Sequence, residues 1–252
     1  MSKTHLYRFT HNKTEELDAS RQDDVVLPHP PPANVSLPML CGFSAILFMN
    51  EFDRMGAQNI DVAQTCNMSE WQRRLFAGKS HAEHTQDSQG EPIDIASLPA
   101  KHPARSGLIY ATTTTAGDNH DNNESFTAFL FVIHKHSLSK PPKAVTTTTS
   151  SSSTVDISSE SQQRVDALGV THIWLCGSAP ELRRQHLMSD LLARVERDVA
   201  AWKAQGQASG VISVHTIPQH FPGMVQFLGR QGFQGGLRYE GGDGKVVYWK
   251  EV

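Results

Sequence analysis

The stretch VTHIWLCGSAPELRRQHLMSDLL, Val170 to Leu192, decides how this chain is read. Val170, Ile173, Trp174 and Leu175 form an apolar run bounded by Gly169 and Gly177, the pattern of a strand covered on both faces. Ser178, with Glu181 three residues on, fits a capping box, and Pro180 suits an early helical position. The stretch therefore predicts a buried strand, a short polar connection, and a helix that begins near Arg183 and Arg184. The positive end of that helix, its free backbone N–H groups and two guanidiniums all favour a bound anion such as phosphate.

Downstream, Leu187, Leu191, Val195, Val199 and Trp202 recur at three- and four-residue steps, which extends the helix to about Lys203. Asp190 stands four residues before Arg194, the favoured order for an intrahelical ion pair. Gly206 and Gly210 bracket the helix end, Val211 to His215 reads as another strand, Pro222 opens a further helix, and Gly232 stops it. Residues 236–252 read as a closing hairpin that turns at GGDG.

Upstream, SGLIYATTTT (106–115) and SFTAFLFVIHK (125–135) flank a GDNHDNN turn and predict an antiparallel hairpin. LYRFT (6–10) predicts a first strand at a sheet edge, and 15–24 is polar enough for a short helix or a loop. PHPPP (28–32) is an extended connector. Cys41 to Met55 has helix-compatible apolar spacing, although its Phe–Ile–Leu–Phe content also suits a buried strand, and Ser69 to Phe76 reads as a second helix. Residues 79–105 predict an irregular surface loop. Residues 137–163, with runs of Thr and Ser, predict a disordered low-complexity insertion, since they have little to bury against the entropy of ordering.

A family resemblance enters at PELRRQHLMSDLL (180–192). This segment resembles the pyrophosphate loop and following helix of the GNAT acetyltransferase superfamily, roughly Pro-x-x-Arg-Gly-x-Gly-x-Gly/Ala. Arg183 falls on the leading Gln/Arg position, His186 on the first critical glycine, and Met188 on the second Gly/Ala. VISVHTIPQHFPGMVQFLGRQGF (211–233), ending in Gly232–Phe233, resembles the fifth strand and fourth helix of the same family. The resemblance implies an α/β fold: one acyltransferase-like domain over 1–252, with a mixed, mostly antiparallel twisted sheet of about six to seven strands flanked by helices. The fourth and fifth strands would splay apart.

That family admits acetyl-CoA into the splay and transfers its acetyl group by direct attack of an amine. Carried over, the resemblance places the pantetheine amides on backbone around Cys176 and Ser178. It places the pyrophosphate on Arg183, Arg184, Gln185, His186, Leu187, Met188 and Ser189. The acceptor would be a primary amine of a small molecule or peptide. Three residues depart from the family pattern. His186 and Met188 carry side chains where glycine lets backbone approach phosphate. Leu228 stands where the family often has a Tyr that protonates the leaving thiolate. No acidic residue lies on 170–175 to act as base.

His172 and His215 are the substitute bases: an unperturbed imidazole titrates near ~6.5, suited to taking a proton from an amine. Period-two spacing puts His172 on one strand face with Trp174 and Cys176. Cys176 itself, on an apolar strand, is a poor nucleophile. His81 with His84, and His134 with His136, have metal-like spacing but no carboxylate or Cys partner, so no metal is expected. The rival reading is a GNAT-fold binding or scaffolding module without catalysis.

A net charge of −3 and a pI near 6.5 give no basis for broad nucleic-acid binding. Three scattered cysteines indicate neither a disulfide framework nor a zinc knuckle and fit a reducing compartment. The most apolar run, Cys41 to Met49, is about half the ~20 residues of a spanning helix, so a soluble cytoplasmic protein without a membrane partner is expected.

Overall fold

In a computed structural model, the described residues are 4–11, 13–21, 24–55 (backbone alone for 52–55), 62, 66–76, 98–99, 101–115, 124–136, 138, 158–238 and 244–252. In chain order they form β1 (Thr4–Phe9), β2 (Thr14–Leu17), α1 (Leu37–Met55), α2 (Met68–Phe76), β3 (Leu108–Thr115) and β4 (Glu124–Lys135). Then follow α3 (Ser159–Leu168), β5 (Val170–Ser178), α4 (Leu187–Ala204), β6 (Val211–Thr216), α5 (Pro222–Arg230), β7 (Gln234–Arg238) and β8 (Val246–Glu251). Among the described residues the strands make one eight-stranded sheet in the order β2-β1-β3-β4-β5-β6-β8-β7. Every neighbouring pair is antiparallel except β5–β6, which α4 joins as a parallel crossover. The fold is mixed α/β.

The middle strands are apolar on both faces because helices cover both. On β4, Ala128, Leu130 and Val132 face a core with Leu191, Val195, Val199 and Trp202 of α4 and Leu228 of α5. The intervening Phe129, Phe131 and Ile133 face Leu40, Leu47, Trp71 and Leu75 of α1 and α2. Val165 of α3 packs on Val170, Val211 and Trp249 on the α1–α2 side. Burial of such a two-sided core, at about 25 cal/mol per Å² of apolar area, is the main force holding the sheet.

Several expectations are corrected. β1 is not the edge, since the polar Thr14–Leu17 pairs outside it as β2. Its buried side chains include Glu16, which His5 Nδ1 approaches at 2.8 Å. Of the two forms open to Cys41–Met55 the helix is the one found, with Pro38 in its first turn, where no intrahelical N–H bond is lost. The second helix is capped by Asn67, whose Oδ1 accepts from the Glu70 N–H at 2.8 Å. Within the expected surface loop 79–105, Leu98, His102 and Ala104 are buried. The low-complexity span also ends earlier than expected. Ser158 caps a helix through the Ser161 N–H (3.2 Å), and Ser161 Oγ donates to Glu251 at 2.6 Å. His81, His84 and residues 139–157 lie outside the described residues.

Arg194 does not pair with Asp190. It is buried and reaches Asp24 at 3.1 Å, where Arg8 (2.9 Å) and Lys101 (3.0 Å) also converge. Lys101 continues to Asp198 at 2.5 Å, and the Tyr110 hydroxyl donates to Asp198 at 2.8 Å. Burial pushes the Asp24 carboxyl up, but Lys101, Arg8 and Tyr110 outweigh it and hold it below the usual range. This network ties α4 to β1 and β3, and so fixes the helix that carries the candidate site.

Candidate functional site

β5 and β6 pair only at Thr171↔Ile212, His172↔Ser213 and Ile173↔Val214. Beyond that point β5 runs on to Ser178 with β4 as its partner, and β6 runs to Thr216 with β8 as its own. The two strands part, and backbone groups of 174–178 on the side away from β4 face the opening. The expected splay is present.

A bulge marks its apex. Phe131 pairs with Leu175 and the adjacent Val132 with Ile173, which leaves Trp174 as the extra residue. Side-chain parity shifts there. Trp174 and Leu175 both pack on the α1–α2 side, whereas Ile173 and Cys176 pack on the α4 side. Cys176 therefore does not share a face with His172 and Trp174, which corrects the period-two expectation. Burial pushes the Cys176 thiol up to about 12, so it is an inert thiol. Ser178 closes β5 opposite Ala128.

After β5 the chain makes a short 3₁₀ turn, Pro180–Leu182, and enters α4 with no capping box. Ser178 belongs to the strand, and the N-cap of α4 is His186, in left-handed conformation (φ 63°, ψ 0°), with no side-chain cap bond. Arg184 is also left-handed (φ 78°). Both are conformations in which glycine escapes a penalty of about 1–2 kcal/mol per residue. The resemblance puts its first glycine at His186, and the backbone there has the shape a glycine favours. Leu187 and Met188 turn their side chains into the α4-side core, and Ser189 Oγ accepts from Gln231 Nε2 at 3.2 Å. Opening an α-helix, the N–H groups of Leu187, Met188 and Ser189 have no intrahelical acceptor. Gln185, His186 and both arginines are exposed. Arg184 makes no ion pair among the described residues, whereas Arg183 pairs with Glu51 of α1.

The structure brings the two histidines together. Their ring centroids lie 4.5 Å apart at 66°. His172 is buried, with Nδ1 2.9 Å from Ser213 Oγ. Half-buried His215, just past the last β5–β6 pair, points Nε2 at the Leu138 carbonyl, 3.5 Å away. Burial, with Lys135, His215 and Arg74 adding to it, holds His172 well below its ordinary value. Burial and then Lys135 push His215 down to about 4, against the pull of the Leu138 carbonyl. Neither keeps the ordinary imidazole value expected from sequence. Both are neutral at pH 7.

Four residues here carry no signal in a single sequence: Ser213, Lys135, Arg74 and Glu51. Arg74 of α2 lies 4.0 Å over the Trp174 ring and pairs with Glu70 at 2.6 Å. Leu228, at the position where the resemblance expects a Tyr, is buried in the α4-side core. Among the described residues no group of three or more His, Cys, Asp or Glu could hold a metal ion, and no helix is long and apolar enough to cross a membrane.

A splayed pair of strands, with a loop and a helix N-terminus after the first of them, is the layout implied by the GNAT resemblance. No protein-family model matches the chain, and no curated protein matches it. Solved structures similar to it include PaiA N-acetyltransferase from Thermoplasma acidophilum in complex with coenzyme A. That pair is 10% identical, covers 84% of this chain and 91% of the other, and has a TM-score of 0.43. Another is NAA60 from Arabidopsis thaliana in complex with acetyl-CoA, at 10% identity, 82% and 93% coverage and a TM-score of 0.39. A third is a GNAT-family acetyltransferase from Listeria monocytogenes, at 11% identity, 88% and 91% coverage and a TM-score of 0.39.

Proposed function

We propose that this chain is an acetyl-CoA-dependent N-acetyltransferase acting on a primary amine of a small molecule or peptide. The observation that carries this reading is the coincidence of two features. β5 and β6 part after Ile173↔Val214, and α4, which follows β5 through the short 3₁₀ turn, begins with no side-chain cap and with its first N–H groups lacking intrahelical acceptors. Backbone of 174–178 on the open side fits a pantetheine amide, and the α4 N-terminus with Arg184 fits a diphosphate. Met188, turned into the core, leaves that backbone accessible.

When bound, acetyl-CoA supplies an acyl group activated as a thioester, whose thiolate leaves without needing a strong acid. This chain's own contribution is to hold the amine near the bulge and receive its proton. His215 is the residue for that step. A ring proton on Nε2, facing the Leu138 carbonyl, leaves the Nδ1 lone pair as acceptor. His172, held by Ser213 and almost closed to solvent, positions the His215 ring. A base that titrates near 4 is neutral across the physiological range. The pH–rate profile should therefore rise with deprotonation of the amine and show no inflection near 6.5.

The rival reading, a binding module without catalysis, draws on buried Leu228 and on the non-glycine residues at the two left-handed positions. Two measurements separate them. CoA at ~100 Kd should stabilise the fold by about 2.7 kcal/mol, a rise in Tm of roughly 5–10 °C. Acetyl transfer across polyamines, aminoglycosides, amino acids and peptides, with His215→Ala as control, then reports catalysis. A thermal shift without transfer to any amine supports the module. No shift removes both readings.

A further inference from the structure

α1 lies over the C-terminal end of β5. Leu47 rests on β5 at Gly177, where an added Cβ would come within 3.2 Å of Leu47 Cδ1. One helical turn later on the same face stands Glu51. Its carboxylate meets the Arg183 guanidinium across the 3₁₀ turn, and the Glu51 side chain is 17% exposed. Arg183 stands next to Arg184 and three residues before the α4 N-cap His186, so one of the loop's two guanidiniums already holds an anion. That anion comes from the helix that covers the strand end.

We propose that Glu51 is an internal competitor for Arg183, latching α1 onto the loop until a phosphate of the ligand displaces it. The inference rests on the diphosphate reading of this loop. A guanidinium can present several N–H groups at once, but a carboxylate left beside an arriving diphosphate would face a like charge at contact distance. The carboxylate therefore has to move away, and ligand entry loosens α1 from the loop. The latch lowers affinity for the unliganded chain and couples the helix over the end of β5 to occupancy of the phosphate seat. Both partners keep partial solvent contact, which limits the competition to about two- to five-fold in Kd.

The test is a double-substitution cycle on the full chain. Isothermal titration measures Kd for CoA, and separately for inorganic pyrophosphate, at low salt. The four proteins are the unmodified chain, Glu51→Gln, Arg183→Gln and the double variant, each checked for an unchanged circular-dichroism spectrum. Glu51→Gln should tighten both ligands about two- to five-fold, and the gain should vanish when Arg183 is already Gln. Binding that appears only in Glu51→Gln supports the latch more strongly still. An equal gain in both backgrounds overturns it, because the effect is then mere net charge. If CoA binds the unmodified chain and Glu51→Gln changes nothing, the latch alone fails. If CoA and pyrophosphate bind none of the four, the diphosphate reading fails and the latch goes with it.

Discussion

Lowering the pH from 7 to 5 should cost this protein about 2 kcal/mol through a single side chain, His102, far from the candidate site. His102 is 3% exposed, with its ring centroid 4.7 Å from that of Trp202. Its Nδ1 accepts from the Ala104 N–H at 3.2 Å, which fixes the ring proton on Nε2, where it donates to the Gln207 carbonyl at 2.9 Å. Protonation would turn Nδ1 into a donor facing a donor. Burial pushes the imidazole down to about 4, with the Gln207 carbonyl pulling weakly the other way.

In the unfolded chain the same group takes its proton near 6.5. Between those values the unfolded state binds the extra proton, so stability falls as pH drops. At about 1.4 kcal/mol per pH unit below 6.5, about 2 kcal/mol is gone by pH 5 and about 3 by pH 4. His215 and His172 act with the same sign, so the total acid sensitivity does not isolate His102. Urea denaturation at pH 7 and pH 5, on the unmodified chain and on His102→Asn, does. Asn keeps a short acceptor for the Ala104 N–H but cannot titrate. It should be less stable at pH 7, having lost the Trp202 and Gln207 contacts, yet lose about 2 kcal/mol less between the two pH values. Parallel losses in the two proteins would refute the reasoning.

Three further outcomes can be measured. His186→Gly should raise stability by about 1 kcal/mol, or roughly 2–4 °C in Tm by calorimetry, because it relieves a left-handed φ of 63° at a cap that makes no side-chain bond. Gly169→Ala should cost at least about 3 kcal/mol in denaturant titration, since φ 68°, ψ −162° is a glycine conformation and an added Cβ would strike the Lys135 carbonyl oxygen. Tyr110→Phe should cost about 1.5–3 kcal/mol, the worth of its hydrogen bond to the Asp198 carboxylate, with the CD spectrum unchanged.

The elements legible in sequence were those whose pattern is local. The α4 stripe, the β3–β4 hairpin and the Pro222 and Gly232 boundaries follow from spacing and turn chemistry, and each appears near its expected place. β2 was not legible because TEEL has no strand composition. Its partner Leu6↔Leu17 and the His5–Glu16 contact supply from outside what the segment lacks. The α3 start was hidden for a similar reason. Ser158 to Gln163 continues a Ser-rich composition, and part of what orders it is distant in sequence: Glu251 on β8 accepts from the Ser161 hydroxyl. The helix N-cap was misplaced because a capping box is a three-residue coincidence. Ser178 was already committed to β4 through Ala128.

At the site, a continuous apolar run such as Ile173–Trp174–Leu175 carries no parity, so nothing in it announces that Trp174 is bulged. The bulge decides which side chains meet. It sends Cys176 toward α4 and leaves Trp174 under Arg74, and the sheet register sets His172 opposite Ser213 and next to His215. Net charge misleads here as well. A chain of net −3 surrounds its two central imidazoles with Lys135, Arg74 and Lys245, and these cations act with burial to keep both rings neutral. The same field acts on any amine that enters. On the proposed acetyl-transfer reading, an ammonium is disfavoured there relative to the free amine, so the surrounding charge would share with His215 the removal of the amine's proton.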